Sequence, residues 1–436
     1  SMRVRSLTLD ETLSVTGGNT LTVLEGFNLG QNADLRINGI AHWLEGTWNT
    51  TRGVRVNPGG VLNIGSGVNP DTGQVTLRAP LENLGRIVWR GGEIALGAAG
   101  IITNRPNKGL DIQSPGAMTG FGRLVNEGLL RRGGLETTTT LIDIDFESTD
   151  RIQVLRGTFQ IGDGPTSPRA ELDGSIRPLN ANATVLFAGR AVHADGVQYG
   201  GLGSLRFEDS EQIFEGGARL GSGQVTFTGA GGASEISIRL VGGGTILGGF
   251  EAEHAFIRIL APTRLQGTFE LEDTVLTDTG LSSRPLLSLV GSVIMAEVAV
   301  AVDTVVAEGS TLQIGRTSGG SGAATVSGGY VLDNSGTITH HAGTLGIGVN
   351  ASLRNEVTGL LVLTGPTVGG GPLSGPVINL GTVERRNSAA SNITTVITGG
   401  LDNQGTVDVV EGTLRVTGAI TQLASVPAAQ LTTLSG

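Results

Sequence analysis

The residues best placed to do chemistry in this chain lie in the run LIDIDFE. Alternation puts Ile142, Ile144 and Phe146 on one face of a strand and Asp143, Asp145 and Glu147 on the other. Three carboxylates on one outward strand could bind calcium, or supply a general acid and base for cleaving a polysaccharide. Arg131, Arg132 and Arg151 stand near enough in sequence to neutralise them instead. An outward strand face must be polar in any case, and the repeated calcium motif G-G-x-G-x-D is absent. The solvated-face reading is the stronger of the two.

His42, Trp43, Glu45 and Trp48 form the densest group of rare residues. Their rings could stack on a sugar, yet Trp43, Trp48 and Trp89 fall on the aromatic position of a repeat, which favours packing. His193, Asp195 and Tyr199, in AVHADGVQYGG, read as a polar loop without a serine nucleophile beside it. Trp43, Trp48, His193 and Tyr199 are therefore the candidates for carbohydrate contact. His340 and His341 precede a glycine turn and are expected to be exposed. The chain has no cysteine, so thiol catalysis, disulfides and cysteine metal sites are excluded. No phosphate-binding G-x-x-x-x-G-K-[ST] loop occurs, and neither a metal nor a cofactor is expected. A single lysine, Lys108, leaves almost no scope for isopeptide crosslinks, and the threonines of Thr137 to Thr140 do not recur as an ice-binding array would require.

The elements that must position these residues follow from composition and repetition. Glycine supplies 72 of 436 residues, about twice the usual share, without the every-third spacing of collagen. Hydrophobic residues make up 38%, mostly aliphatic, which is enough to bury a continuous core and excludes disorder. The net charge is −10 and no basic patch builds up along the sequence, so nucleic acid is not an expected partner. The longest apolar stretch, Leu286 to Val306, is interrupted by Glu297 and Asp303 and reads as core strands instead of a membrane span.

An N-x-G unit recurs at Asn83, Asn126, Asn334, Asn379 and Asn403, with degenerate copies at Asn104 and Asn355. The intervals are 21 and 22 residues in the first run (83, 104, 126), then 21, 24 and 24 in the second (334, 355, 379, 403). A second unit, G-T-[LF]-x-[IVL], stands at Gly157, Gly267, Gly343 and Gly412. Coils of about 21–24 residues with two or three short strands predict an all-β, right-handed parallel β-helix, because one coil cannot bury its own apolar face. Stacked at one corner, Asn83, Asn104, Asn126, Asn334, Asn355, Asn379 and Asn403 are expected to form hydrogen-bonded ladders. The glycine after each is expected to supply a positive φ.

Dividing the length by the period predicts roughly 20 coils and a rod on the order of 95 Å. The expected organisation is N-terminal coils over 1–162, a proline-containing loop or excursion over 163–182, and central coils with altered corners over 183–330. C-terminal N-x-G coils follow over 331–420, then a tail or truncated coil over 421–436. Ser1-Met2 looks like a cloning scar in place of a leader, and the abrupt ends suggest a piece of a longer polypeptide.

The run AHWLEGTWNTTRGVRVNPGGVLNIG, then LENLGRIVWRGGEIAL with IITNRPNKGLDIQ, then LVNEGLLRRGGLETTTTLIDIDFESTD, resembles the Gly/Asn-rich repeat region of large bacterial autotransporter-like or adhesin-like surface proteins. The likeness covers residues 35 to 165 and, more weakly, the remainder. It departs at Ser148 and Asp150, where that repeat has Asn and Gly, so the ladder is expected to be interrupted there. The resemblance implies exposure at or beyond the cell surface and a framework without defined catalysis. A structural or adhesive stalk touching a glycan or another surface protein is thus the expected function. A polysaccharide lyase or hydrolase using Asp143, Asp145 or Glu147 is the alternative.

Overall fold

The structure is a computed structural model that describes residues 1–65, 73–135, 137–221, 223–229, 236–278, 284–315, 322–364, 373–386 and 394–422. Among these residues there is no helix, and the strands stack in parallel as a β-solenoid of about 17 turns. That compares with roughly 20 expected for the whole chain; residues 423–436, most of the expected tail, lie outside the described residues. The chain forms two compact units: Ser1–Ile213 with Ala218–Val225, and Phe214–Gly217 with Thr226 onward.

In the first unit a coil consists of three short strands, as in Pro80–Asn83, Arg86–Trp89 and Gly92–Leu96. Each pairs in parallel with its counterpart one coil on: Ile101–Asn104, Gly109–Ile112 and the start of Gly116–Asn126. Three parallel sheets result, here termed the ladder, middle and third sheets. Side chains alternate inward and outward along each strand. Leu81, Ile87, Trp89, Ile94 and Leu96 fill one layer of the core, each almost wholly buried. Each such residue contributes roughly 1.5–3 kcal/mol by leaving water.

The inward end of each ladder strand forms a column: Val15, Ile37, Val56, Asn83, Asn104, Asn126, Ser148, Leu172 and His193. Within it Asn83 Nδ2 donates to Asn104 Oδ1 at 2.7 Å, and Asn104 Nδ2 to Asn126 Oδ1 at 2.8 Å. Ser148 does not interrupt the row but ends it, its Oγ accepting from Asn126 Nδ2 at 3.0 Å. The second unit repeats the arrangement. Ile246, Leu265, Leu289 and Val306 lead into Asn334, Asn355, Asn379 and Asn403, each amide bonding to the next at 2.7 Å. All seven asparagines are buried, and second amide hydrogens reach carbonyls of the following coil, such as Asn83 to Gly109 O at 3.0 Å.

The glycine of N-x-G is present for a different reason than the one expected. Gly85, Gly128, Gly336, Gly381 and Gly405 all lack positive φ. A Cβ on Gly85 would lie 2.4 Å from Gly60 O and 2.5 Å from Asn57 O, and one on Gly381 would lie 2.1 Å from Glu356 O. The corner brings the backbone of the preceding coil too close for any side chain. Positive φ belongs instead to the G-T-[LF] unit, at Gly157, Gly267, Gly343 and Gly412.

The segment over 163–182 is not wholly an excursion. Ala170–Leu172 and Ser175–Pro178 are strands paired to the coils on both sides, with Pro178 at a strand end where its missing N–H is tolerated. In the second unit Gly244–Ile259, Thr263–Thr277 and Leu286–Ala301 run through all three sheets without a break. At one of their corners Gly248, Gly267 and Gly291 stack in register. At the other, His254, Asp273 and Glu297 adopt positive φ, and His254 Nδ1 lies 2.6 Å from Asp273 Oδ2. That contact holds the imidazole above its ordinary pKa.

Two comparisons test this account. Asn104→Ala orphans groups on both neighbours and should destabilise the first unit by about 3 kcal/mol, against about 1 kcal/mol for Ser148→Ala at the end of the row. Urea unfolding followed by tryptophan fluorescence reads this, since Trp43, Trp48 and Trp89 all lie in the first unit; equal losses would refute a ladder that couples coils. Gly85→Ala should likewise cost about 3 kcal/mol. Gly109→Ala, whose Cβ meets nothing within 4 Å, should stay within about 0.5 kcal/mol.

Candidate functional site

The outward side of the ladder sheet in the first unit carries a groove of about 420 Å³. Arg36, Arg55, Glu82 and Thr103 occupy the same outward position on four successive coils. Arg52 precedes one of these strands, Arg105 follows another, and the exposed Pro80 gives the groove an apolar edge. Arg36 Nη2 meets Asp34 Oδ2 at 2.9 Å. Glu82 is shared, receiving Arg55 Nη2 and Arg105 Nε at 2.9 Å each. Arg105 also reaches Glu127 at 3.2 Å, and these carboxylates hold its guanidinium above its ordinary pKa. Arg52 is exposed and makes no ion pair among the described residues. Four arginines thus line a groove to which Asp34 and Glu82 bring two carboxylates.

No run of the sequence is basic, and the expectation that no basic patch builds up does not hold for this groove. Arg36 and Arg55 are neighbours because one coil separates them. The usable signal was arginine recurring at an outward position at the coil interval.

The sequence candidates are placed differently. Asp143, Asp145 and Glu147 do point away from the inward Ile142, Ile144 and Phe146. However, the strand Thr139–Ser148 turns a corner, marked by a register shift against Gly116–Asn126. Asp143 pairs beside Thr119 in the third sheet, while Asp145 and Glu147 pair beside Arg123 and Val125 in the ladder sheet. The three carboxylates therefore do not share one flat face. Glu147 is held by Arg123, not by Arg131, Arg132 or Arg151. Arg131 instead joins Arg86 in clamping the nearly buried Asp111, at 2.8 and 2.5 Å. Among the described residues no three His, Cys, Asp or Glu side chains gather as metal ligands.

Trp43 and Trp48 are fully buried and stack at 3.7 Å with an interplanar angle of 4°. No ring face is left for a sugar. His193 and Tyr199 are also interior, at the ends of Ala191–His193 and Gln198–Tyr199 instead of in an exposed loop. The Tyr199 hydroxyl meets His193 Nδ1, while His193 Nε2 lies 3.0 Å from Gln212 Oε1. Gln212 Nε2 donates to Ser210 Oγ at 2.7 Å and Gly189 O at 3.0 Å. Since Gln212 Oε1 only accepts, this network suits a neutral imidazole protonated at Nε2, with the tyrosine donating to Nδ1. Burial drives the His193 pKa down to about 4 and that of Tyr199 well up.

His340 is likewise buried, not exposed, with Nε2 3.0 Å from Gly343 O; His341 is half-buried and meets Thr364 Oγ1 at 2.9 Å. Trp89, Arg132, His340 and Arg385 all stand six residues after a ladder asparagine and point into the core. Arg132 Nη2 donates to Thr138 O at 3.0 Å and Thr138 Oγ1 at 2.6 Å, and burial lowers its pKa.

No protein-family model matches this chain, and no curated protein matches it significantly. No helix among the described residues is long and apolar enough to cross a membrane.

The buried imidazole makes the first unit acid-sensitive. Between pH 6.5 and about 4 the unfolded chain binds a proton that folded His193 refuses, so its contribution is complete above pH 6.5 and lost as pH falls through about 4. The loss is on the order of 3 kcal/mol. His193→Leu, matching its column neighbour Leu172, should lower calorimetric stability at pH 7 by about 1–3 kcal/mol through orphaning Gln212 and Tyr199. It should also flatten the decline between pH 6.5 and 4; an unchanged slope would remove His193 as its source.

Proposed function

We propose that this chain is a non-catalytic β-solenoid segment of a large exported surface protein, serving as a structural and adhesive stalk. The supporting observation is where the polar and aromatic residues go. The asparagine rows, the Trp43–Trp48 stack and the His193–Tyr199–Gln212 network are consumed by the core. The outer face of the first unit's ladder sheet keeps an open groove. The resemblance of residues 35 to 165 to surface-protein repeats supports the same reading, with the protein working at the cell exterior.

A polysaccharide-cleaving enzyme is the second reading. It rests on Asp143, whose Oδ1 is buried without a hydrogen-bond partner at a solenoid corner. Binding of the purified chain to a broad glycan array, with release of reducing ends assayed in the same wells, separates the two. The stalk reading expects binding without release. Release abolished by Asp143→Asn would replace it with the enzyme.

A further inference from the structure

We infer that the arginine groove of the first unit holds an acidic glycan, a sugar chain bearing carboxylate or sulfate groups, with Arg52 receiving a charged group. The inference rests on the adhesive reading and names its ligand class and its site.

The groove's own ion pairs leave cationic capacity unused. Arg36, Arg55 and Arg105 are each engaged by a carboxylate, yet their side chains remain 58%, 57% and 42% exposed. A guanidinium has five N–H donors, and the contacts made to Asp34 and Glu82 occupy one or two of them. Arg52 has no carboxylate at all among the described residues. Guanidinium groups bind carboxylate and sulfate oxygens through parallel, charge-assisted hydrogen bonds. The surrounding chain carries a net −10, so an anionic ligand is repelled elsewhere and drawn to this local reversal of sign.

The lining also selects the kind of anion. Asp34 and Glu82 sit among the arginines and can only accept hydrogen bonds. An acidic peptide would bring more carboxylates against them. A sugar acid brings hydroxyl donors for Asp34 and Glu82, acceptors for the arginines, and a C–H face for Pro80. The volume of about 420 Å³ suits a short stretch of such a chain. Arg36 and Arg55 lie on adjacent paired strands, which stack about 4.8 Å apart, so a charged polymer crossing these two coils meets two cations in succession before it reaches Glu82.

The test is biolayer interferometry of the full chain over immobilised polygalacturonate, dextran sulfate, fully methyl-esterified polygalacturonate and polyglutamate. The expected result is salt-sensitive binding to polygalacturonate or dextran sulfate, the tighter of the two identifying the acidic group, and none to the esterified polymer. Arg52→Gln should weaken it about tenfold and Arg36→Gln with Arg52→Gln further. Arg415→Gln, an exposed arginine of the second unit, should change nothing. Unaltered melting temperatures confirm that the variants remain folded. Acidic-glycan binding unaffected by the double variant overturns the site, and polyglutamate binding as tightly as the glycans overturns the ligand class. Binding confined to neutral glycans on the array overturns this inference while leaving an adhesive stalk standing. Silence on every glycan overturns both.

Discussion

A side-chain amide removed from water is costly unless it is hydrogen-bonded. Along each asparagine row every amide donates to the side chain one coil on, up to Ser148 in one row and Asn403 in the other, while Asn334, the first of its row, keeps an unpartnered Oδ1. This requirement underlies much of the architecture. An amide at 2.7–2.8 Å from its neighbour tolerates no slip in register, because a shift by one residue would turn the asparagine outward and leave its partner orphaned. The close coil-to-coil approach at that corner in turn excludes a Cβ two residues later, at Gly85, Gly128, Gly336, Gly381 and Gly405. Asparagine and glycine in N-x-G thus answer two aspects of one constraint, bonding along the stack and clearance across it.

The inward position six residues after the ladder asparagine shows how far the framework absorbs chemistry. It holds Trp89 and Arg132 in one unit, His340 and Arg385 in the other. A guanidinium there keeps its charge at a desolvation cost, partly offset in Arg132 by Thr138. Functional groups that would mark a site on an enzyme surface are here structural inserts between aliphatic layers. Accessible groups remain at outward positions, where side chains from different coils meet.

Much of the fold was legible because a repeat writes the same physical requirement many times. The period, the asparagine rows and the alternation of Ile142, Ile144 and Phe146 could all be read directly. What failed to read through were features without a linear signature. A corner inside Thr139–Ser148 divides Asp143 from Glu147, though the alternation runs straight through it. His193 and Tyr199 looked like a polar loop because their partner, Gln212, is a coil away. The groove was hidden for the same reason, since Arg36, Arg52, Arg55 and Arg105 are scattered along the chain and gathered by stacking. Ser148 shows the opposite case: a hydroxyl met the demand that the asparagine pattern alone seemed to require of an amide.

The ladder also makes the coil a unit of inheritance. Asn104 and Asn126 are separated by 22 residues and occupy the same column position, so a duplication or deletion of that interval rejoins an amide to an amide. Unequal crossing-over between the corresponding stretches of coding DNA would then change the number of turns without leaving an unmatched seam. The arginine groove ends at Arg105. Of its arginines only Arg105 lies within that interval, so lineages can lengthen or shorten the stack there while passing on Arg36, Arg52 and Arg55.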